Sequence, residues 1–299
     1  MRGDRISKVF DSLPDDEKNK NRKELEKLLA LFLLLLKKIT DRAAREEILG
    51  QLMALRAEYA IGYGLDGFKM DVEEALQLLK NMDDSNLTKE DIEKRDRLVA
   101  MVNNLVEFAV CAEYQMYKKV ISINPDIYDD GVDVDDDEVM IPYFSIFNKY
   151  NGVYAAVENE DIYYAMGIAY QWLHCSSSTY LTYMTQNDDR VRPWHYALQG
   201  FTARRDDFPS WMIPPIEWGC RCFLISEGGD IIAEKDRIKD VKASFDVPEK
   251  PSQIDDIFSE SVAKCGRIFG KSHPYFKVAK ADKDKLKEYV DNIKKKYYA

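Results

Sequence analysis

At 299 residues the chain is long enough for one large domain or two ordinary ones, and it can bury a core without covalent staples. Charged residues at 32% and apolar ones at 45% are an ordinary globular mixture, and a formal net charge of −10 excludes a uniformly basic nucleic-acid binder. Five cysteines, an odd number, fit reduced thiols better than a disulfide framework. The first twenty residues are charged and lack an apolar core, so no secretory leader is expected.

In chain order, residues from about 15 to 82 are rich in Leu, Glu, Lys and Ala, with apolar positions three and four apart. The spacing predicts helices over about 16–39, 41–63 and 72–81. Asp41 caps the second, and Gly62 and Gly64 end it. Residues 28–36, the most apolar run, reach about half a bilayer span and are closed by Lys37 and Lys38, so no membrane partner is expected. Two readings of this run are open: a central core helix of an N-terminal bundle, or a helix buried on every side by another subunit. A fourth helix is expected over about 88–120, with Thr88 as cap and Asp91 as the far member of an imperfect capping box.

Residues 124–138 break this pattern. Asp126, Asp130 and Gly131 have the spacing of a calcium loop, but Tyr128 and Val134 occupy two positions that need oxygen ligands, so a solvated acidic loop is the better reading. From Met140 onward aromatics are frequent, with a helix expected over about 161–173. Strands are expected from Thr179, over 221–226 and over 230–234, the last two around a Gly228-Gly229 turn. A linker follows at 247–253, and a last helix over about 282–297. The fold class expected is α+β and mainly helical: an N-terminal helical region, residues 1–140, followed by a smaller mixed α/β module, residues 141–299, with a short β-sheet.

The chemically specific residues gather in 188–223. Asp188 and Asp189 stand before Arg190 and Arg192, where they either hold a metal or form an ion-paired turn. Pro193 suits the first position of a short helix that Gly200 stops, with His195 and Leu198 on one face. His195 alone is commonly a core or capping residue. Cys220 and Cys222, two apart on a presumed strand, share one face while Arg221 points away. His195, Cys220 and Cys222 supply three zinc ligands, with Asp189, Asp188 or the His174/Cys175 pair as the fourth. A buried thiol pair and an oxidation-dependent disulfide are the alternatives. Pro214 and Pro215 force an extended approach to that strand. Trp194, Phe201, Phe208, Trp211 and Trp218 read as core rather than as a base-stacking platform.

Taken in order, Asp189, Arg190, Arg192, His195, Leu198, Gly200, Asp207, Phe208, Pro214, Pro215, Cys220, Arg221 and Cys222 resemble the signature of the phage Mu F-like head morphogenesis family. Gly219 departs from it, standing where the family commonly has Asn. Residues 268–278, IFGKSHPYFKV, are similar to a segment that closes many relatives. The resemblance implies a minor capsid protein of the virion, at the portal vertex of the head, assembled in the host cytoplasm. Its implied partners are the portal protein and other capsid proteins, and its implied work is procapsid assembly or DNA packaging and ejection. The helical region would dock on the portal while the cysteine-bearing module holds a compact shape.

From Lys271 the chain carries nine lysines against four acidic residues, a local charge of +5. That tail is read either as a contact for packaged DNA or as an amphipathic surface helix. An enzyme is the rival class, because some relatives carry fused toxin domains. An ADP-ribosyltransferase places its Ser-Thr-Ser strand before a Glu-x-Glu pair, whereas here Glu158-Asn159-Glu160 precedes Ser176-Ser177-Ser178. The sequence also lacks a His-Glu-x-x-His motif, a Gly-rich phosphate loop and a nucleophile elbow. A metal-dependent hydrolase built on His195 and Asp189 is the other enzymatic alternative. A helical scaffold unrelated to phages is a third class. The expectation is a structural protein, not an enzyme.

Overall fold

The computed structural model describes residues 22–81, 83–226, 244–252, 256–258, 260–265 and 267–299. The start of the first expected helix, the Gly228-Gly229 turn and the strand expected at 230–234 lie outside the described residues. Helices α1 (Arg22–Lys37), α2 (Arg42–Gly67), α3 (Val72–Lys80) and α4 (Lys89–Ile121) come first. A single turn, α5 (Ile127–Asp130), leads to α6 (Asp137–Phe147), a π-helical segment (Asn148–Tyr154) and α7 (Ala155–Leu173). Then come β1 (Tyr180–Met184), α8 (Pro193–Tyr196), β2 (Thr202–Arg204), β3 (Phe223–Ser226), α9 (Val262–Cys265) and α10 (Lys283–Tyr298). The fold is α+β and mainly helical, as expected. No helix of the described residues is long and apolar enough to cross a membrane.

The apolar run is a core helix of this chain. Leu25, Leu28, Leu29, Phe32, Leu35 and Leu36 of α1 are buried, and Phe32 meets Phe147 with ring centroids 5.0 Å apart. Helix α2 starts where expected, with Asp41 accepting the Ala44 N–H at 3.1 Å. It does not stop at Gly62 and Gly64 but runs through both to Gly67. The reason is close packing: a Cβ on Gly67 would lie 2.2 Å from the Tyr163 carbonyl oxygen of α7, so the two backbones touch there. A glycine inside a helix weakens it by about 1 kcal/mol, and tertiary contact outweighs that. The capping box of α4 is complete, with Thr88 Oγ accepting from Asp91 N–H and Asp91 accepting from Thr88 N–H.

In the acidic segment 124–138, aspartates accept backbone N–H groups. Asp133 accepts from Asp135, and Asp136 caps α6 by accepting from Glu138 and Val139. Helix α10 buries Leu286, Val290, Ile293 and Tyr297 and turns its lysines outward, where Lys285 reaches Glu46 of α2 at 2.9 Å. The segment before it is fixed by one buried amide. Asn104 of α4 accepts N–H bonds from Ile268 and Phe269, each at 2.9 Å, and donates to the Phe269 carbonyl at 3.0 Å.

The three-stranded antiparallel sheet has the order β2-β1-β3. Tyr183 pairs with Leu224, and Thr182 pairs with Thr202 on one side and Ile225 on the other. Leu181 and Tyr183 point into a second apolar core that also holds Leu198, Phe201, Phe208, Met212, Ile213, Ile216 and both signature cysteines. Helix α7 serves both cores: Ile162, Ala165, Met166 and Ala169 face the helical bundle, while Ile168 and Trp172 face the sheet.

The bundle core encloses a polar network. Arg56 of α2 pairs with Glu158 of α7 at 2.7 Å and donates to Asn159 at 3.3 Å, while the Tyr275 hydroxyl donates to the other Glu158 oxygen at 2.8 Å. Glu113 of α4 accepts from Asn151 at 3.3 Å, and burial pushes its carboxyl up to about 7. Between its ordinary value of 4.5 and about 7, folded Glu113 holds a proton that the unfolded chain releases. This group's contribution to stability is therefore present below 4.5, declines as pH rises, and is flat above about 7. Glu113→Gln removes that decline. In urea unfolding at acidic and at mildly alkaline pH, the variant should gain on the wild type by on the order of 3 kcal/mol across the window. An unchanged difference at the two pH values would contradict this account.

Candidate metal-binding site

Two short segments converge on the buried face of the sheet. In the first, Arg192 is extended, Pro193 takes the first helical position of α8, and Gly200 ends the turn at φ +88°. Gly200 N–H donates to the Tyr183 carbonyl at 2.9 Å, and Tyr183 N–H donates to Phe201 at 2.8 Å, so the turn is stitched to β1. His195, the third residue of the helix, is thereby turned inward and buried at 2% exposure. The second segment follows the cis Pro214-Pro215 bond and leads through Trp218 to Gly219, whose φ of +65° suits glycine. The buried Asp161 carboxylate of α7 accepts the Gly219 N–H at 2.9 and 3.1 Å. Burial pushes the Asp161 carboxyl well above its ordinary value.

Cys220 and Cys222 precede β3, which begins at Phe223; the strand expected over 221–226 is shorter at its start. Both thiols are buried, and Arg221 between them points out to Asp188, which it bonds at 2.7 and 2.8 Å. The alternation expected of a strand therefore holds in an extended segment that has no ladder partner. The bond from Arg221 keeps the Asp188 carboxyl below its usual value. The acidic-arginine turn is an ion-paired turn, although its partner for Asp188 is Arg221.

His195, Cys220 and Cys222 form one group whose ligand atoms all lie within 4.8 Å of one another. His195 Nδ1 is 3.4 Å from Cys222 Sγ and 3.7 Å from Cys220 Sγ. The other ring nitrogen, Nε2, is 3.3 Å from Glu217 Oε2, which also accepts from Arg192 Nε at 3.1 Å. A carboxylate oxygen accepts only, so Nε2 carries the proton and Nδ1 presents its lone pair to the sulfurs. Arg192 also donates to the Trp218 carbonyl at 2.7 Å, which ties the two segments together. Burial pushes the Cys220 thiol up, whereas a hydrogen bond from Cys220 holds Cys222 below the usual thiol value. The Tyr183 hydroxyl is buried beside the thiols without the geometry of a hydrogen bond to either. A small cleft over the group is lined by Gln186, Arg190, Arg192 and Arg221.

The structure brings together three of the four expected ligands. Asp189 is exposed and stands outside the converging group. The other expected fourth ligands are occupied elsewhere: Asp188 holds Arg221, His174 Nδ1 faces the Tyr170 carbonyl at 2.8 Å, and Cys175 is buried in the sheet core. Arg190 and Arg221 line the cleft, Leu198, Phe208 and Ile213 fill the sheet core, and Asp207 bonds Arg204 through its N–H at 3.0 Å. Trp194 and Trp211 pack on that core, and Trp218 stacks on Phe269 at 5.6 Å, so these aromatics are core residues. Sequence reasoning missed Glu217, Asp161 and Tyr183. Glu217 lay three residues before Cys220, inside the dense segment, and an acid so placed was a usable signal. Asp161 is 58 residues from Gly219 and offered none.

Residues 153–225 match the family model described as Phage Mu protein F like protein, so this stretch of the chain is Mu F-like. It contains the sheet up to Ile225, Asp161, the His195 turn and the thiol segment. Within the chain, 62 residues are 44% identical to the Mu-like prophage FluMu F protein of Haemophilus influenzae. That alignment covers 20% of this chain and 15% of the relative's length. No solved structure matches.

Asp161→Ala should release the Gly219 N–H at a cost of about 1–3 kcal/mol for a lost buried partner. Amide hydrogen exchange should then speed up at Gly219 and Cys220 while α4 stays protected. Equal speeding throughout α4 would show that Asp161 acts on the whole fold and not on this segment.

Proposed function

We propose that this chain is a phage head morphogenesis protein, a minor component of the virion head with a structural and not an enzymatic task. The observation that carries the reading is the Mu F-like match over 153–225, which takes in every residue of the His195, Cys220 and Cys222 group. In this reading residues 1–140 form the docking region for the portal protein or other capsid proteins, and residues 141–299 form the compact module. Assembly takes place in the host cytoplasm and the product sits at the portal vertex. The Glu158-Asn159 pair supports a structural role, since both side chains are engaged by Arg56 inside the core. Co-expressed with the portal protein from the same phage, the full chain should co-purify with the portal ring. A portal ring that carries none of it in low-salt buffer would overturn the docking assignment.

The Lys-rich tail is proposed to contact packaged DNA. Lys285 and Lys296 of α10 are engaged by Glu46 and Glu58 of α2, which leaves a smaller cationic surface than the sequence count suggests. Retention of duplex DNA should therefore be weak and should fall steeply as salt is raised, in proportion to the few phosphates neutralised. Retention that does not change with salt would exclude a phosphate contact.

A further inference from the structure

Two buried thiols crowd one strong acceptor at His195 Nδ1, with the Cys222 sulfur as a weaker acceptor for Cys220. Nδ1 offers one lone pair, yet two buried sulfurs face it at 3.4 and 3.7 Å. A hydrogen bond from one thiol leaves the other without that acceptor. A cation at the centre serves all three at once. Around a tetrahedral zinc ion, bonds of about 2.3 Å to sulfur and 2.0–2.1 Å to nitrogen put each sulfur about 3.6 Å from the nitrogen. The two observed distances bracket that value. Glu217, holding Nε2–H, is placed as the carboxylate that orients a metal-binding imidazole and fixes its tautomer.

We propose that His195 Nδ1, Cys220 Sγ and Cys222 Sγ bind one zinc ion, with Glu217 as the positioning residue. Two thiolates and an imidazole favour zinc over the hard cations that prefer carboxylate and carbonyl oxygen. The fourth position opens toward the small cleft beneath Arg190 and Arg192, which has room for about one water, and solvent completes the tetrahedron. The ion joins α8 to the segment before β3, so it staples the sheet's two flanking loops. This assignment needs no portal and no DNA, and it stands or falls apart from the head reading.

The test uses the full chain without a polyhistidine tag, purified from zinc-containing medium without chelators. Elemental analysis should find one zinc per chain, and Cys220→Ser with Cys222→Ser should lose it. To separate loss of the ligands from loss of the fold, wild-type protein stripped by a chelator and titrated with cobalt supplies a second measurement. Cobalt should produce the intense visible bands of a tetrahedral thiolate complex, and zinc should abolish them. Glu217→Ala should weaken zinc ten- to hundredfold in competition with a chromophoric chelator, and Glu217→Gln should recover most of the loss. Wild-type protein with neither zinc nor a cobalt spectrum overturns the site, as does a Cys220–Cys222 disulfide in the freshly purified chain. Full affinity in Glu217→Ala overturns the positioning role.

Discussion

Two buried carboxylates less than one helical turn apart on α7 set the arrangement of everything around them. Glu158 reaches to Arg56 of α2, and Asp161 reaches to the Gly219 N–H ahead of the thiols. A polar group taken out of water must find a partner, and here each partner comes from a different part of the chain. Removing one member of the Arg56–Glu158 pair costs about 3–5 kcal/mol, because the other is left buried and uncompensated, whereas the bond from Gly219 to Asp161 carries the smaller cost of a lost buried hydrogen bond. Apolar contacts alone would let α7 slide against α2 and against the loop with little penalty. The ion pair and the carboxyl-to-backbone bond allow one register. The bare backbone contact at Gly67 and Tyr163 fixes the same crossing from its other end.

The geometry at His195 follows from that register. With Gly219 held by Asp161, Cys220 and Cys222 fall on the buried side and Arg221 on the exposed side, where Asp188 receives it. The facing turn is held by Pro193, by Gly200 and by the bonds between Gly200, Phe201 and Tyr183. Arg192 then bridges the two segments through Glu217 and the Trp218 carbonyl. Each of the three converging side chains thus sits on a short segment whose backbone is pinned from outside the group. That is the usual condition for a site held to a few tenths of an ångström.

Much of this was legible in the sequence because it is local. The caps at Asp41 and Thr88, the ends of α3 and α10, and the strand after Thr179 all follow from chemistry within four residues. So did the suspicion attached to His195, Cys220 and Cys222, since rare residues at tight spacing stand out. What failed was non-local. Gly62 and Gly64 read as a stop because helix propensity is a local measure, while α2 continues on account of α7, about a hundred residues later. Glu158 drew notice only as half of a Glu-x-Glu pair and Asp161 only as the start of a helix, since nothing nearby marks them as buried. Asn104 was invisible for the same reason: its partners, Ile268 and Phe269, lie more than 160 residues away.

The Mu F-like segment, for all its density of signature residues, is not a self-sufficient unit in this chain. Its one long helix turns Ile162, Ala165, Met166 and Ala169 away from the sheet and into the bundle. Cut from the bundle, that helix would expose an apolar face, and Glu158 would lose both its cation and the Tyr275 hydroxyl. The C-terminal segment adds to the dependence, because Phe269 stacks on Phe108 of α4 at 4.1 Å and on Trp218 of the thiol segment at 5.6 Å. The sheet module therefore inherits its rigidity from helices on both sides of it in the sequence. In this chain the carboxyl at Glu158 is satisfied from outside the segment, by the Arg56 guanidinium and the Tyr275 hydroxyl. The pairing with Arg56, more than the cysteines, is what makes the helical region and the signature segment parts of one structure.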